Sequence, residues 1–262
     1  MTNVVITGGT RGIGYGLAVE FLKRGCKVVI SGRTQDSVQK ALHTLRAAHG
    51  TDKVFGFPCE VGDYAEAQKL WEHSSAALGT VAIWINNAGI DIDNKRYWEL
   101  PFEDVQRIIN TNLMGVMITS HIVLQGMVKQ GGGTLYNMEG FGSSGMKRLG
   151  MTSYGTTKYA LRYFTQSLQL EAKDFPLTIG TLSPGIVVTD LLTGNYEGRP
   201  QEWERAKRIF NILADKVETV TPYLVEKVLA NKSKTPSIAW LTTPKIAMRF
   251  MSSPFAKRKV IE

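Results

Sequence analysis

Cysteine is scarce: Cys26 and Cys59 are the only two in 262 residues. Both flank predicted buried strands, so they read as small core thiols in a reducing compartment, which argues against a disulfide framework. Histidine is nearly as rare, and His43, His49, His73 and His121 show no ligand spacing, so no metal site is expected. Long hydrophobic runs are missing, since no uninterrupted apolar stretch reaches the ~20 residues that cross a bilayer. A strand-like segment begins at residue 4, leaving no room for a signal or transit peptide. The expectation is a cytoplasmic protein, or a mature form without its targeting segment. Acidic residues are outnumbered, 23 against 31 Lys and Arg, for a net charge of +8. That balance favours anionic partners. The cations form no stripe interleaved with aromatics, so nucleic acid is not expected. A phosphate-rich cofactor or an acidic membrane surface accounts for the sign.

What is present is a globular composition, 43% hydrophobic with 26 glycines. Apolar strands are predicted at residues 4–7, 27–31, 54–58, 81–85, 134–137, 178–183 and 238–241. Amphipathic helices alternate with them at 13–23, 37–48, 64–78, 101–129 and 154–173. Strands alternating with helices predict an α/β fold, a doubly wound parallel sheet of about seven strands with helices on both faces. No linker or internal repeat interrupts the chain, so residues 1–262 form one domain. Such sheets bind ligands at the carboxyl ends of their strands.

The stretch Thr7-Gly8-Gly9-Thr10-Arg11-Gly12-Ile13-Gly14 follows the first strand and opens a helix. Glycines permit a tight turn and a close approach to a pyrophosphate, and the helix N-terminus offers unpaired N–H groups. Gly8, Thr10, Arg11, Gly12, Ile13 and Gly14 are the candidate cofactor residues here. A site for NAD would place a carboxylate after the second strand. Ser31-Gly32-Arg33 has none, and Arg11 with Arg33 can grip a 2′-phosphate, so NADPH (NADP+) is the expected cofactor. Farther on, Tyr154 and Lys158 stand four apart on one helix face. An ammonium there can lower the pKa of a phenol, making it a proton donor near neutral pH.

Taken with Asn86-Asn87-Ala88-Gly89, Asn112 and Pro184-Gly185, these motifs resemble the short-chain dehydrogenase/reductases in order and spacing over residues 3–189. The resemblance implies an NADPH-dependent oxidoreductase. By it, Asn87, Ala88 and Gly89 border the adenosine and ribose, and Glu60 with Val61 meets the adenine where the family usually has Asp. Pro184, Gly185, Val187 and Thr189 border the nicotinamide, and Asn112 kinks a helix as a member of the catalytic tetrad. The same resemblance implies a homodimer or homotetramer. Tyr154 would give the proton, Lys158 would tune it and hold the ribose, and Asn112 would fix a water that returns protons to Lys158.

One tetrad position departs from the family. Its serine normally lies thirteen residues before the tyrosine, where this chain has Phe141. Serines follow at Ser143 and Ser144 in a glycine-flanked loop, and Ser143 is the candidate to orient the substrate carbonyl. The run Asn137-Met138-Glu139-Gly140-Phe141-Gly142-Ser143 resembles chlorophyll(ide) b reductases, as do Phe210-Asn211-Ile212-Leu213-Ala214 and Trp240-Leu241-Thr242-Thr243-Pro244. That branch implies reduction of the 7-formyl group of chlorophyll(ide) b to a 7-hydroxymethyl group. Residues 191–217 would form a substrate lid, with Phe141, Met146, Met151, Tyr196, Trp203 and Phe210 either lining a cleft or packing ordinarily. The tail, residues 245–262, alternates Ile246, Met248, Phe250, Met251 and Phe255 with Arg249, Lys257, Arg258 and Lys259. It would lie on an acidic membrane or pack on its own domain or on a partner subunit. Two rival expectations stand beside this one: a general ketone or aldehyde reductase, and a cofactor-binding sensor without turnover.

Overall fold

A computed structural model describes residues 1–92, 95–196, 198–253 and 258–261. Its sheet comprises seven parallel strands in the order β3-β2-β1-β4-β5-β6-β9. These are β1 (Asn3–Ile6), β2 (Lys27–Gly32), β3 (Val54–Pro58), β4 (Ile83–Asn86), β5 (Gly133–Met138), β6 (Leu177–Ser183) and β9 (Ser237–Ala239). Parallel neighbours require crossovers, which the intervening helices supply on both faces. One face buries α1 (Gly12–Lys23) and α2 (Gln35–His49), with Leu17, Phe21, Val38 and Leu42 in its core. The opposite face carries α3 (Tyr64–Leu78) and α5 (Gly115–Lys129), packed around Trp84, Ile122 and Met127. Strand order runs outward from β1 to β3, then reverses from β1 to β4. That reversal opens a crevice at the carboxyl ends of β1 and β4.

Three features depart from the predicted elements. The single helix expected over 101–129 is α4 (Phe102–Ile109), a π-helical stretch (Asn110–Met114) and α5. The whole run Phe102–Lys129 has the length and apolarity of a membrane span, yet α5 packs against α3, β4 and β5 as a core helix. Next, the unpredicted α9 (Val217–Leu229) lies along α1 and buries Val220, Leu224, Val225 and Val228. Pro222 sits in its second turn and masks the helical pattern. At the crossing, a Cβ on Gly16 would collide with Val217. Finally, β7 (Val187–Val188) and β8 (Asp215–Lys216) form a small second sheet that ties the two ends of the expected lid together. Between them lie α7 (Asp190–Thr193) and α8 (Pro200–Leu213).

The tail forms α10 (Thr243–Ser252) and returns to the lid. Asp215, only 4% exposed, accepts from Trp240 Nε1 (2.7 Å) and pairs with Arg249 (2.8 Å) and Arg258 (2.6 Å). Asn211 Oδ1 accepts from the backbone N–H groups of Val260 (2.8 Å) and Ile261 (2.9 Å). Two of the tail's cations, Arg249 and Arg258, thus pair with a buried carboxylate of their own domain. Phe255 and Lys257 lie outside the described residues. Both cysteines are buried and free, and burial pushes the Cys59 thiol up to about 12.

Candidate active site

The glycine loop fits its crevice because side chains are missing from it. Gly8 has φ +62°, and a Cβ there would stand 2.8 Å from Ala88 Cα. A Cβ on Gly14 would collide with Gly8 O and the Asn87 amide. Asn87 Nδ2 donates to Thr7 O and Gly8 O, both at 3.0 Å, while Thr7 Oγ1 accepts from Asn87 N and Ala88 N, both at 3.0 Å. The segments after β1 and β4 are thereby locked together. Helices α2 and α3 are capped by the side chains of Thr34 and Asp63, but Arg11 gives α1 no side-chain cap and its first turn holds no acid. The first turn of α1, from Gly12 (φ +56°) and Ile13, so presents free N–H groups at the positive end of a dipole, the arrangement that receives a pyrophosphate.

The other cofactor candidates ring this turn. Thr10 packs on Gly32 at the end of β2, and Arg11 and Arg33 are exposed at the same edge, with no ion pair among the described residues. Glu60 N donates to the Glu66 carboxylate at 2.6 Å, and buried Val61 packs on Gly115. Pro184 and Gly185 (φ +73°) lead out of β6 toward buried Val187. Thr189 closes over the loop, with its Cγ2 3.5 Å from where a Gly12 Cβ would stand. Gly89 lies against Asn112, whose Oδ1 is 3.4 Å from a Cβ placed there.

Helix α6 (Thr152–Glu171) brings Tyr154 and Lys158 to the end of β5. Lys158 is 5% exposed and its Nζ donates to Met138 O at 3.1 Å. A Cβ on Gly140 would come 2.5 Å from the Tyr154 phenol oxygen and 3.3 Å from Lys158 Cε. Only glycine leaves that oxygen open from this side. Asn112, fully buried, accepts from Ile90 N and donates to Ile90 O, both at 2.8 Å. These two bonds join the π-helical turn around Asn112 to the segment that follows β4.

Electrostatics here correct one expectation. Burial, with Asp91 adding to it, pushes the Tyr154 phenol above its ordinary range, so Lys158 does not lower it in this arrangement. Burial also brings the Lys158 amine down to about 8, opposed by Glu139 and Asp91. Asp91 escaped the sequence reading, and Glu139 entered it only within a motif and without a role, since acids in irregular segments show no periodicity that marks them. Burial likewise raises the Glu139 carboxyl, against the pull of Arg162 and Lys158.

Ser143 is buried and Ser144 exposed. The turn brings Ser143 Oγ back to accept from Gly140 N at 3.1 Å, beside the residue that faces the tyrosine. Among the cleft candidates, Tyr196 and Phe210 are buried, and with Trp203 they form a cluster with ring centroids 5.3–6.2 Å apart. They form the core of the segment 191–217. Arg148 Nη2 donates to the Tyr196 hydroxyl at 2.8 Å, joining the Ser143 loop region to the lid. Met146 and Leu149 remain widely exposed.

A family model described as short chain dehydrogenase matches residues 2–200, most of the chain. The protein belongs to the short-chain dehydrogenase family. Within it, the chain is 33% identical to the probable chlorophyll(ide) b reductase NYC1 of Arabidopsis thaliana, over 96% of this chain and 53% of that one. It is 36% identical to the chlorophyll(ide) b reductase NOL of the same plant, over 87% of this chain and 65% of its relative. The chain thus spans about half to two thirds of these relatives, which are named chloroplastic. The chain is also 33% identical to the NADP-dependent (R)-specific alcohol dehydrogenase of Lentilactobacillus kefiri, over 72% of this chain and 74% of that one. Among solved structures, a serine dehydrogenase complexed with NADP+ superimposes with TM-score 0.78 at 25% identity, over 90% of this chain and 94% of that one. An actinorhodin polyketide ketoreductase variant with NADPH does so with TM-score 0.79 at 25% identity, over 91% and 95%.

Proposed function

We propose that this protein is an NADPH-dependent carbonyl reductase whose substrate is the 7-formyl group of chlorophyll(ide) b, reduced to 7-hydroxymethyl. The observation that carries the chemistry is the meeting of Tyr154, Lys158 and side-chain-free Gly140 at the strand ends beside the glycine loop. The observation that carries the substrate is similarity to chlorophyll(ide) b reductases across 96% of the chain, past residue 200 where the family model ends.

The uncapped α1 N-terminus receives the pyrophosphate, and Arg11 with Arg33 grips the 2′-phosphate. NADPH, when bound, supplies the hydride. Tyr154 gives its proton to the oxygen as negative charge develops there. A phenol held above its ordinary range keeps that proton through neutral pH, which suits the reductive direction. Lys158 holds the ribose and carries the replacement proton, delivered along a water held by the Asn112 backbone. Ser143 orients the carbonyl, and residues 191–217 cover the substrate. Each turnover consumes one aldehyde, one NADPH and one proton.

Two copies would pair through α5 and α6. Their outer faces form a groove of about 630 Å³ lined by Met117, His121, Leu124, Phe164, Leu168 and Phe175, remote from Tyr154. A second reading, general ketone reduction, is favoured by the match to the NADP-dependent alcohol dehydrogenase. Incubation with NADPH and chlorophyllide b separates the two. A shift of the pigment bands, absent in Tyr154→Phe, supports the pigment reading. Turnover of small ketones with unchanged pigment sinks it in favour of the general one. NADPH binding without reduction of any carbonyl sinks both.

A further inference from the structure

We propose that Glu139 and Arg162 are positioning residues that hold the turn from Gly140 to Ser143 against Tyr154 and keep the Lys158 amine charged. Tyr154, Lys158 and Arg162 recur every fourth residue along α6 and so lie on one face. Glu139 is the first residue beyond β5, adjoining Met138, whose carbonyl accepts from Lys158. Its own N–H donates to Leu182 O at 2.8 Å, which fixes its backbone. The Glu139 side chain is 11% exposed, and its carboxylate stands 4.0 Å from Arg162 Nε. From there Arg162 Nη1 reaches Ser143 O at 3.4 Å. One guanidinium therefore joins the carboxylate to the turn.

The turn is closed at both ends: Gly140 N donates to Ser143 Oγ and Ser143 N to Gly140 O, each at 3.1 Å. It is pressed onto α6 at Gly142 (φ +94°), where a Cβ would stand 2.6 Å from Gly155 Cα. Contact this close leaves the turn little freedom once Arg162 grips its carbonyl.

Glu139 also follows directly on Met138, whose carbonyl holds the Lys158 amine at 3.1 Å, so its charge acts on that amine. The groups acting on that amine are Glu139 beyond β5, Asp91 beyond β4, and Tyr154 on its own helix; those acting on Glu139 are Arg162 and Lys158. A plain structural ion pair would stabilise the turn and leave the Lys158 titration alone. The geometry here predicts both effects, because a negative charge so near a buried amine favours its protonated form.

This inference rests on the reading of Tyr154 and Lys158 as the proton-transfer pair, so its test includes a readout apart from turnover. The Lys158 titration is followed by NMR of protein carrying 13C-labelled lysine, with Lys158→Arg assigning the signal. In Glu139→Gln the Lys158 midpoint is expected to fall by about half a pH unit or more, and in Glu139→Asp to return most of the way. The alkaline limb of kcat for aldehyde reduction moves down with it, while the NADPH Kd stays within about twofold. In Arg162→Ala, kcat falls and the aldehyde KM rises, with NADPH affinity retained. An unchanged Lys158 midpoint in Glu139→Gln overturns the charge role, and unchanged kcat and KM in Arg162→Ala overturn the clamp. A wild-type protein that reduces no carbonyl sinks the reductase reading, and the Glu139 coupling is then decided by the NMR midpoint alone.

Discussion

The glycine loop and the segment 191–217 both join chain regions far apart in sequence, the first by close backbone approach and the second with a buried carboxylate at its centre. At the loop, Gly8 and Gly14 let backbones from β1, α1 and β4 touch, and the hydrogen bonds of Thr7 and Asn87 finish the joint. At the lid, the Asp215 carboxylate gathers the side chains of Trp240, Arg249 and Arg258, and the two arginines also donate to the carbonyls of Ile212, Leu213 and Ala214. A backbone joint has one geometry and keeps free N–H groups aimed at a ligand. A charged side-chain joint depends on its ionic partners and leaves room for the surrounding surface to vary. The first suits a cofactor of fixed shape.

Four experiments would break or sharpen that contrast. Tyr154→Phe touches neither joint, so it should lower kcat by roughly 10²–10⁴-fold while NADPH affinity and melting temperature hold. A loss of cofactor binding would place Tyr154 in the joint instead. Asp215→Ala leaves two arginines without their carboxylate and should cost about 3–5 kcal/mol, seen as a lower denaturation midpoint. Unchanged stability would show the lid is held by its aromatic cluster. Arg11→Ala combined with Arg33→Ala should cut the preference for NADPH over NADH by about 10–100-fold, since it removes charge-assisted bonds to the 2′-phosphate and spares the glycine joint. Retained preference would move phosphate recognition elsewhere. The smallest effect concerns pH. Lys158 titrates near 8 and the phenol well above it, so reduction should hold through neutral pH and fall as pH rises through about 8. A rate that instead rises there would mean the neutral amine is the active form.

The same contrast explains what was legible in the sequence. Strand periodicity, the glycine spacing, and Tyr154 four before Lys158 are local patterns, and the seven-stranded parallel sheet falls where the periodicity points. Asp215 looks like any solvated acid until Arg249 and Arg258, more than thirty residues away, fold back on it. Helix α9 was hidden by Pro222, and the short pairing of β7 with β8 leaves no alternation to read. Tyr196 and Phe210 were visible as aromatics, but only the fold shows that they pack on each other. The rise in the Tyr154 phenol was likewise beyond reach, because burial is a property of the assembled site. Glu139 stands directly after the strand, yet its partner Arg162 becomes a neighbour only through the docking of α6.

The most direct measurement uses NADPH deuterated at C4 with chlorophyllide b and follows the label by mass spectrometry of the pigment. One deuterium should appear in the 7-hydroxymethyl group with the wild-type protein and almost none with Tyr154→Phe. Pigment recovered unlabelled and unreduced, while the wild-type protein binds NADPH and reduces other carbonyls, would contradict the account.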